Sequence, residues 1–448
     1  MTDDTDARRR MHLAAFVSAG PVSGTHGGWR HPAADRDLLS ARYYADVART
    51  LEAGCFDLLF LADILAVPDR LGGSMDSQLR YGALGALRLD PLLVLASLAG
   101  ATRHLGLACT VSTTYFPPFQ VARALATLDH LTAGRAAWNI VTSFQQAEAR
   151  NFGLEEHLSR EARYDRADEF VEVCEKLWDS WADDALVRDP AAPLFADPAK
   201  VRRVDHDGPY FKVRGPLNVS RSPQGRPVYV QAGASERGRD FAARWAEVVF
   251  ITPPSVEAAR SARADLRARA EKFGRDPDSL KVLPGVCPVV AESRTIAEER
   301  RALLQSLSEA EAGLSTLAYH LDADLSLFPQ DEVLPEMEVS GVQGHYKEVA
   351  EMTRKTGMPL SRLGQQYGAG RHAAGFTGTA ADIVDTMAAW HDAGACDGFM
   401  FQVPYVPGGV EDIVRLVVPE LQRRGLFRRT YEGATLRDHL GLARPAAG

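Results

Sequence analysis

The chain has 448 residues, of which 46% are hydrophobic and 25% charged. That balance supports a large buried core and excludes a disordered or fibrous chain. A net charge of −8 disfavours nucleic acid and anionic membrane as partners, but not a small anionic ligand at a local positive site.

Met11–Ser18 is an apolar run closed by a Gly/Pro/Ser loop and reads as a buried strand. Leu39, Tyr43, Val47 and Leu51 recur at helical spacing, which predicts an amphipathic helix closed by Gly54. Asp57–Ala62 is a second buried strand, ending at Asp63. After a Gly-, Ser- and Arg-rich loop, Pro91–Ala101 reads as helix, Leu105–Cys109 as a third strand and Thr110–Thr114 as a hydroxyl-rich turn. Val121, Ala122, Leu125 and Leu128 mark the next helix. Ala136–Val141 is the fourth strand, with Asn139 inside it. Phe170, Val173, Leu177, Trp178 and Trp181 form one face of a long helix. Residues 182–225 are rich in Pro, Gly, Asp and Arg, with a hairpin-like patch at Gly208–Val213. Val228–Gln231, Val248–Ile251, Val282–Val290 and Phe399–Val403 complete the strands, and Val410–Leu416 starts a last amphipathic helix.

Continuous apolar strands alternating with helices imply parallel strands buried on both faces. Eight such units predict an α/β fold of the (β/α)8 TIM-barrel type, with a doubly wound sheet as the alternative. A barrel needs about 250 residues, so the rest must be insertions. The largest falls between strands 7 and 8, at about residues 295–395. It is helical and charged, with a softer Gly/His stretch at Gly364–Gly378, and its place beside the barrel mouth suits a lid. One domain over residues 11–442 is expected, between a disordered tail at 1–10 and a second tail at 443–448.

The five cysteines, at 55, 109, 174, 287 and 396, form no CxxC pair. Neither a disulfide framework nor a zinc site is indicated. The longest apolar runs are too short to span a bilayer, and Met1–Arg10 has no apolar stretch behind its basic run. These features point to the cytoplasm and away from any membrane partner.

In such a barrel, function sits at the C-terminal ends of the strands. Asp63 ends strand 2; Thr110, Ser112, Thr113 and Thr114 follow strand 3; Asn139, Thr142 and Ser143 close strand 4; Gly233, Ala234 and Ser235 follow strand 5. An amide such as Asn139 among apolar neighbours needs a partner, and a planar ligand edge is one candidate. A turn of small residues running into a helix suits a phosphate, because backbone N–H groups and the helix dipole favour an anion. Ser235 reads equally as a simple N-cap, and Asp63 as a loop cap. No GxGxxG, Walker, HExxH or GxSxG motif occurs. His26, His31, His157, His345 and His372 are too scattered to argue a metal set, so no metal is expected.

Longer segments carry more. GGWRHP at Gly27–Pro32, FDLLFLAD at Phe56–Asp63, TVSTTYFPPFQVAR at Thr110–Arg123 and LDHLTAGRAAWNIVTS at Leu128–Ser143 come first. ARNFG at Ala149–Gly153, RYDRADEF at Arg163–Phe170, QAGAS at Gln231–Ser235 and a long tail at Val417–Leu442 follow. Together they resemble the bacterial luciferase-like flavin monooxygenases. The nearest branch contains the nitrilotriacetate, EDTA, dibenzothiophene-sulfone and dimethyl-sulfide monooxygenases. The resemblance spans about residues 11–442.

It implies a barrel enzyme that takes reduced FMN from a separate NAD(P)H:FMN reductase. With O2, it would oxygenate a small organic substrate through a C4a-peroxyflavin. It implies Asp63 and Thr110 near the flavin ring, Asn139 and Thr142 on its polar edge or ribityl chain, and Tyr164 and Ser235 at the phosphate with the backbone of Gly233 and Ala234. The family's usual His four residues before Tyr164 is here Arg160, which can still pair a phosphate. Candidate substrate contacts are His26, Trp29, Arg30, His31, Tyr115, Arg371 and His372; Arg30 reads either as a partner for a substrate anion or as a structural ion pair. No general base is named. A homodimer or homotetramer is implied. A deazaflavin (F420)-dependent oxidoreductase and a non-catalytic flavin-binding protein are the competing readings.

Overall fold

A computed structural model describes residues 10–233, 235–370 and 375–447. Eight parallel strands close into a barrel: β1 (His12–Ser18), β2 (Leu58–Ala62), β3 (Gly106–Ser112), β4 (Ala136–Val141), β5 (Val228–Gln231), β6 (Val248–Ile251), β7 (Lys281–Val286) and β8 (Gly398–Gln402). They lie in sequence order around the ring, and β1 closes it by pairing with both β2 and β8. All eight expected strands are present. The outer wall carries α1 (Ala41–Ala53), α2 (Pro91–Ser97), α3 (Pro118–Leu131), α4 (Arg160–Trp178), α5 (Glu236–Trp245) and α6 (Val256–Lys272). Ser40, Asp90, Ser159, Ser235 and Ser255 cap five of these helices with side-chain oxygens.

Strand alternation sorts the core into two layers. Ala14, Leu58, Phe60, Ala108, Ala137, Val228, Val230, Leu283 and Met400 fill the barrel interior. Leu13, Leu59, Leu107, Cys109, Trp138, Ile140 and Tyr229 face outward against the helices. Phe16, Ala62 and Phe250, half-buried, top the interior cluster. The C-terminal helix Leu436–Leu440 closes the opposite end, where Leu436, Leu440 and Leu442 join the interior cluster.

Local departures from the expected elements have simple causes. β3 runs on through Ser112, so Thr110 lies in the strand and not in a turn. Val282–Val290 is not one strand. β7 stops at Val286, and Val289–Val290 pairs separately with Thr377–Gly378. Pro288 lies between them and has no N–H for a ladder. The helix at Pro91 ends at Ser97, ahead of Gly100.

Between β7 and β8 come α7 (Arg294–Leu307), α8 (Ala310–Leu321), α9 (Gln343–Thr356), α10 (Leu360–Gly368) and α11 (Ala380–Asp392). Leu314, Leu317, Leu321, Val349, Leu360, Leu363 and Tyr367 give α8, α9 and α10 a core of their own. Ile383, Val384 and Met387 of α11 belong instead to the barrel-wall cluster. The first part of the Gly364–Gly378 stretch is helical. A Cβ on Gly313 would fall on the Gly364 carbonyl, so these two glycines let α8 and α10 cross in backbone contact. The insertion is tied to the barrel-top loops. Gln145 donates to the Tyr319 carbonyl, Gln78 Nε2 to Ser315 Oγ at 2.8 Å, Arg70 to Asp322 at 2.5 Å and the His26 N–H to the Gly368 carbonyl at 2.8 Å.

Candidate active site

Thr110 and Asn139 are paired across β3 and β4. Each sits two residues beyond an interior alanine, Ala108 or Ala137, so alternation turns both side chains into the barrel above the apolar layer. Asn139 Nδ2 donates to Thr110 Oγ1 at 2.8 Å. Asn139 Oδ1 is buried with no partner. Leaving a buried acceptor unmet costs about 1–3 kcal/mol, so this oxygen marks a place where a donor belongs. Beyond it, Ser112 and Ser143 share a 2.9 Å hydroxyl contact, and Thr114 Oγ1 donates to the Thr142 carbonyl at 2.6 Å. Ser143 holds a positive φ of 51°, and Arg163 donates to its carbonyl.

A second group converges one strand further on. Ser235 Oγ caps α5 by accepting from the Gly238 N–H at 3.1 Å. The first N–H groups of that helix have no acceptor within it. A Cβ on Gly238 would lie 2.7 Å from the Tyr164 hydroxyl and 3.0 Å from Ser235 Oγ, so glycine keeps this corner open. Arg160 and Tyr164 stand one turn apart on α4 and share a face. Arg160 has no ion pair among the described residues and reaches the Gly341 carbonyl at 3.5 Å. The Gly233 N–H is already engaged by Gln231 Oε1 at 2.6 Å, so the free donors here are those of the helix start. Ala234 lies outside the described residues.

The unoccupied acceptor on Asn139, the aromatic cap of Phe16 and Phe250 and the glycine-cleared helix start fit a planar ring carrying an anionic tail. The insertion, through α8 and Tyr319, lies against this mouth.

Two acids were not both anticipated. Asp63 receives the Ile64 N–H at 2.9 Å, and burial pushes its carboxyl up to about 6. Glu148, from the short helix Gln146–Asn151, receives the Leu65 N–H at 3.0 Å. Burial, and then the Asp63 charge, push it up to about 7. Sequence reasoning missed Glu148, although it immediately precedes the ARNFG segment. It also missed Arg88, whose guanidinium is buried against Ser18 and Leu84 with Asp63 in its field.

Of the expected substrate contacts, His26, Trp29 and Arg30 line one pocket of about 270 Å³ with Tyr81, Leu307 and Glu309, while Tyr115 and His31 lie elsewhere. Tyr115 lies against Phe152, with ring centroids 4.6 Å apart, and its hydroxyl meets His157 Nε2 at 2.9 Å. Trp29 donates to the Tyr81 carbonyl at 2.9 Å. Arg30 reaches Glu309 at 2.9 Å and the Leu307 carbonyl at 3.0 Å, at an exposed edge of the insertion. His31 stacks on Tyr405 with 3.8 Å between centroids. His26 is buried against Gly368. Arg371 and His372 lie outside the described residues. Among the described residues, no cluster of ligands suited to a metal ion occurs, and no helix is long and apolar enough to cross a membrane. All five cysteines are free and buried.

The closed barrel of eight parallel strands is a TIM barrel with a polar mouth at its C-terminal face. Comparison with known proteins is more specific. The luciferase-like monooxygenase model matches residues 16–396, and the chain belongs to that family. It is 48% identical over 446 residues to dibenzothiophene-sulfone monooxygenase of Rhodococcus erythropolis (strain XP), covering 98% of each chain. It is 44% identical over 449 residues to nitrilotriacetate monooxygenase component A of Aminobacter aminovorans, again covering 98% of each. A crystal structure of riboflavin lyase with modified FMN and substrate riboflavin superposes with a TM-score of 0.89 at 32% identity, covering 98% of this chain and 97% of that one. The chain is thus a monooxygenase of a flavin-dependent family that acts on small substrates.

Proposed function

We propose that this chain is the oxygenase of a two-component system. It receives reduced FMN by diffusion from a separate NAD(P)H:FMN reductase and uses O2 to oxygenate a small organic substrate. The outcome is C–N or C–S cleavage or hydroxylation, and the 48% identity to a sulfone monooxygenase supports the C–S case.

The observation that carries this reading is the buried, unpartnered Asn139 Oδ1 at the barrel mouth. Thr110, Asn139 and Thr142 would hold the polar edge of the ring and the ribityl chain, with Asp63 beside it. Arg160, Tyr164, Ser235 and the first N–H groups of α5 would hold the phosphate. Bound reduced FMN supplies the electrons that activate O2. The protein's own tasks are physical. Phe16 and Phe250, which top the interior cluster, would floor the site, and the insertion would keep water from the mouth. Asp63 and Glu148, with raised affinities for a proton, keep a fraction of the acid form at the mouth near neutral pH, a proton that could pass to oxygen.

A homodimer fits an apolar groove of about 370 Å³ between α2 and α3. There Leu93 is 70% exposed and Leu131 61% exposed. A second copy of the chain would cover them.

Anaerobic titration with photoreduced FMN tests the reading. Saturable binding that weakens at least about tenfold in Asn139→Ala is expected. Failure to bind reduced FMN, with binding of reduced F420 in its place, overturns it.

A further inference from the structure

A second cavity, of about 750 Å³, lies outside the barrel mouth. Its walls are the start of α3, one face of α4 and the hairpin formed by His206–Asp207 and Lys212–Val213. The hairpin is fixed to α4 through Glu169, which accepts from the Phe211 N–H at 2.9 Å and the Tyr210 N–H at 3.0 Å and meets His206 at 3.0 Å. That carboxylate is therefore already engaged, although its field reaches Arg166.

The lining has a consistent chemistry. Tyr115, Phe119, Tyr210 and Phe211 present aromatic surface. The Arg166 guanidinium lies 4.5 Å from the centroid of the Phe211 ring and donates to the Thr113 carbonyl. Arg166 has no carboxylate partner among the described residues, and no hydrogen bond or ion pair engages the Arg214 side chain there. Lys212 meets Asp207 at 2.9 Å at the exposed rim. No carboxylate lines the cavity. Burial works against the Arg166 charge, and an anion beside it would offset that cost.

We propose that this cavity is a second binding site, for a planar aromatic anion of the aryl carboxylate, sulfinate or sulfonate kind. The exposed ring of Tyr210, with Phe119, takes the aromatic body, and Arg166 and Arg214 take the anion. Tyr115 stands in the wall shared with the mouth, since it lines this cavity and lies in the field of Glu148. The assignment does not depend on what fills the barrel mouth.

Isothermal titration of the full chain with 2-phenylbenzenesulfonate, with neutral biphenyl as control, tests it. The expected result is saturable binding of the sulfonate alone, weakened about tenfold or more in Arg166→Gln and in Arg214→Gln. Arg214 is exposed, so that variant reads binding without disturbing the fold. Retention of the probe in excess FMN assigns the site to aryl anions. Displacement by FMN, with FMN affinity also reduced in Arg214→Gln, overturns the proposal by making the cavity part of the flavin site. Absence of saturable binding, equal binding of biphenyl, or affinity unchanged in both variants overturns the proposal.

Discussion

Asp57 and Glu247, at the N-terminal end of the barrel, and Asp63 and Glu148, at its mouth, are four acids withdrawn from water with opposite fates. Asp57 takes Arg428, His12 Nδ1 at 3.1 Å and the Leu13 N–H at 2.7 Å. Glu247 takes Arg437 at 2.6 Å, Arg226 at 3.3 Å and the Tyr229 N–H at 3.0 Å. Burial alone would raise both carboxyls. The cations outweigh it, and Glu247 is held at about 2. At the mouth burial wins, and Asp63 and Glu148 rise to about 6 and about 7. The partner, not the burial, sets the sign. At one end arginines pair the buried acids and serve stability; at the mouth, among the described residues, no ion pair holds Asp63 or Glu148.

The largest expected effect breaks the satisfied end. Arg437→Met leaves Glu247 buried with Arg226 alone and costs about 3–5 kcal/mol, read by urea denaturation. Adding Glu247→Gln to that variant restores part of the loss. A cost under about 1 kcal/mol would mean that this end is no more built for stability than the mouth. The reverse holds for Asn139→Ala, which loses reduced-FMN affinity at least about tenfold while stability moves by about 1 kcal/mol or less. A stability loss without an affinity loss would place Asn139 with the structural groups.

pH sharpens the same contrast. The native Glu148 pKa of about 7 lies above the ordinary 4.5, so the native state binds the proton more tightly than the unfolded chain does. Its contribution to stability is fully present below pH 4.5 and is lost as pH rises through 7. Glu148→Gln mimics the protonated acid, so it should exceed the parent by on the order of 1–3 kcal/mol at about pH 8 and match it at about pH 4. His439, at the opposite end, runs the other way. Both ring nitrogens are buried without partners, and burial, then the Arg428 charge, lower its pKa from 6.5 to about 4. Its contribution is present above pH 6.5 and is lost as pH falls toward 4. His439→Gln should flatten the acid limb of a thermal-denaturation profile and leave the alkaline limb alone.

The sequence made the barrel legible because a parallel strand buried on both faces is a continuous apolar run. Position within the strand also made Asn139 conspicuous, since a lone amide there has few bland explanations. Glu148 was opaque for the opposite reason. It sits on a short helix without apolar period, and its partner Leu65 is 83 residues away. The ion pairs beneath the barrel join residues 371 and 190 apart, so the tail segment carrying Arg428 and Arg437 showed only as a family resemblance. Val282–Val290 misled because an apolar run does not reveal where a ladder breaks. Pro288 was the available signal.

Arg30 is the smallest test and the most discriminating for the sequence reading, which left it between a substrate anion and an ion pair. Its side chain is 39% exposed and that of its partner Glu309 45% exposed. An exposed pair of this kind contributes about 0–1 kcal/mol, because water screens it and two flexible side chains must be ordered. Arg30→Ala should therefore shift stability by about 0.5 kcal/mol or less and leave kcat/KM within about twofold. Asn139→Ala, assayed beside it, supplies the scale for a residue proposed to hold the flavin. A tenfold rise in KM confined to anionic substrates would extend the mouth outward to the edge of the insertion, and would make the Arg30–Glu309 pair a latch that substrate must open rather than a seam that holds the insertion down.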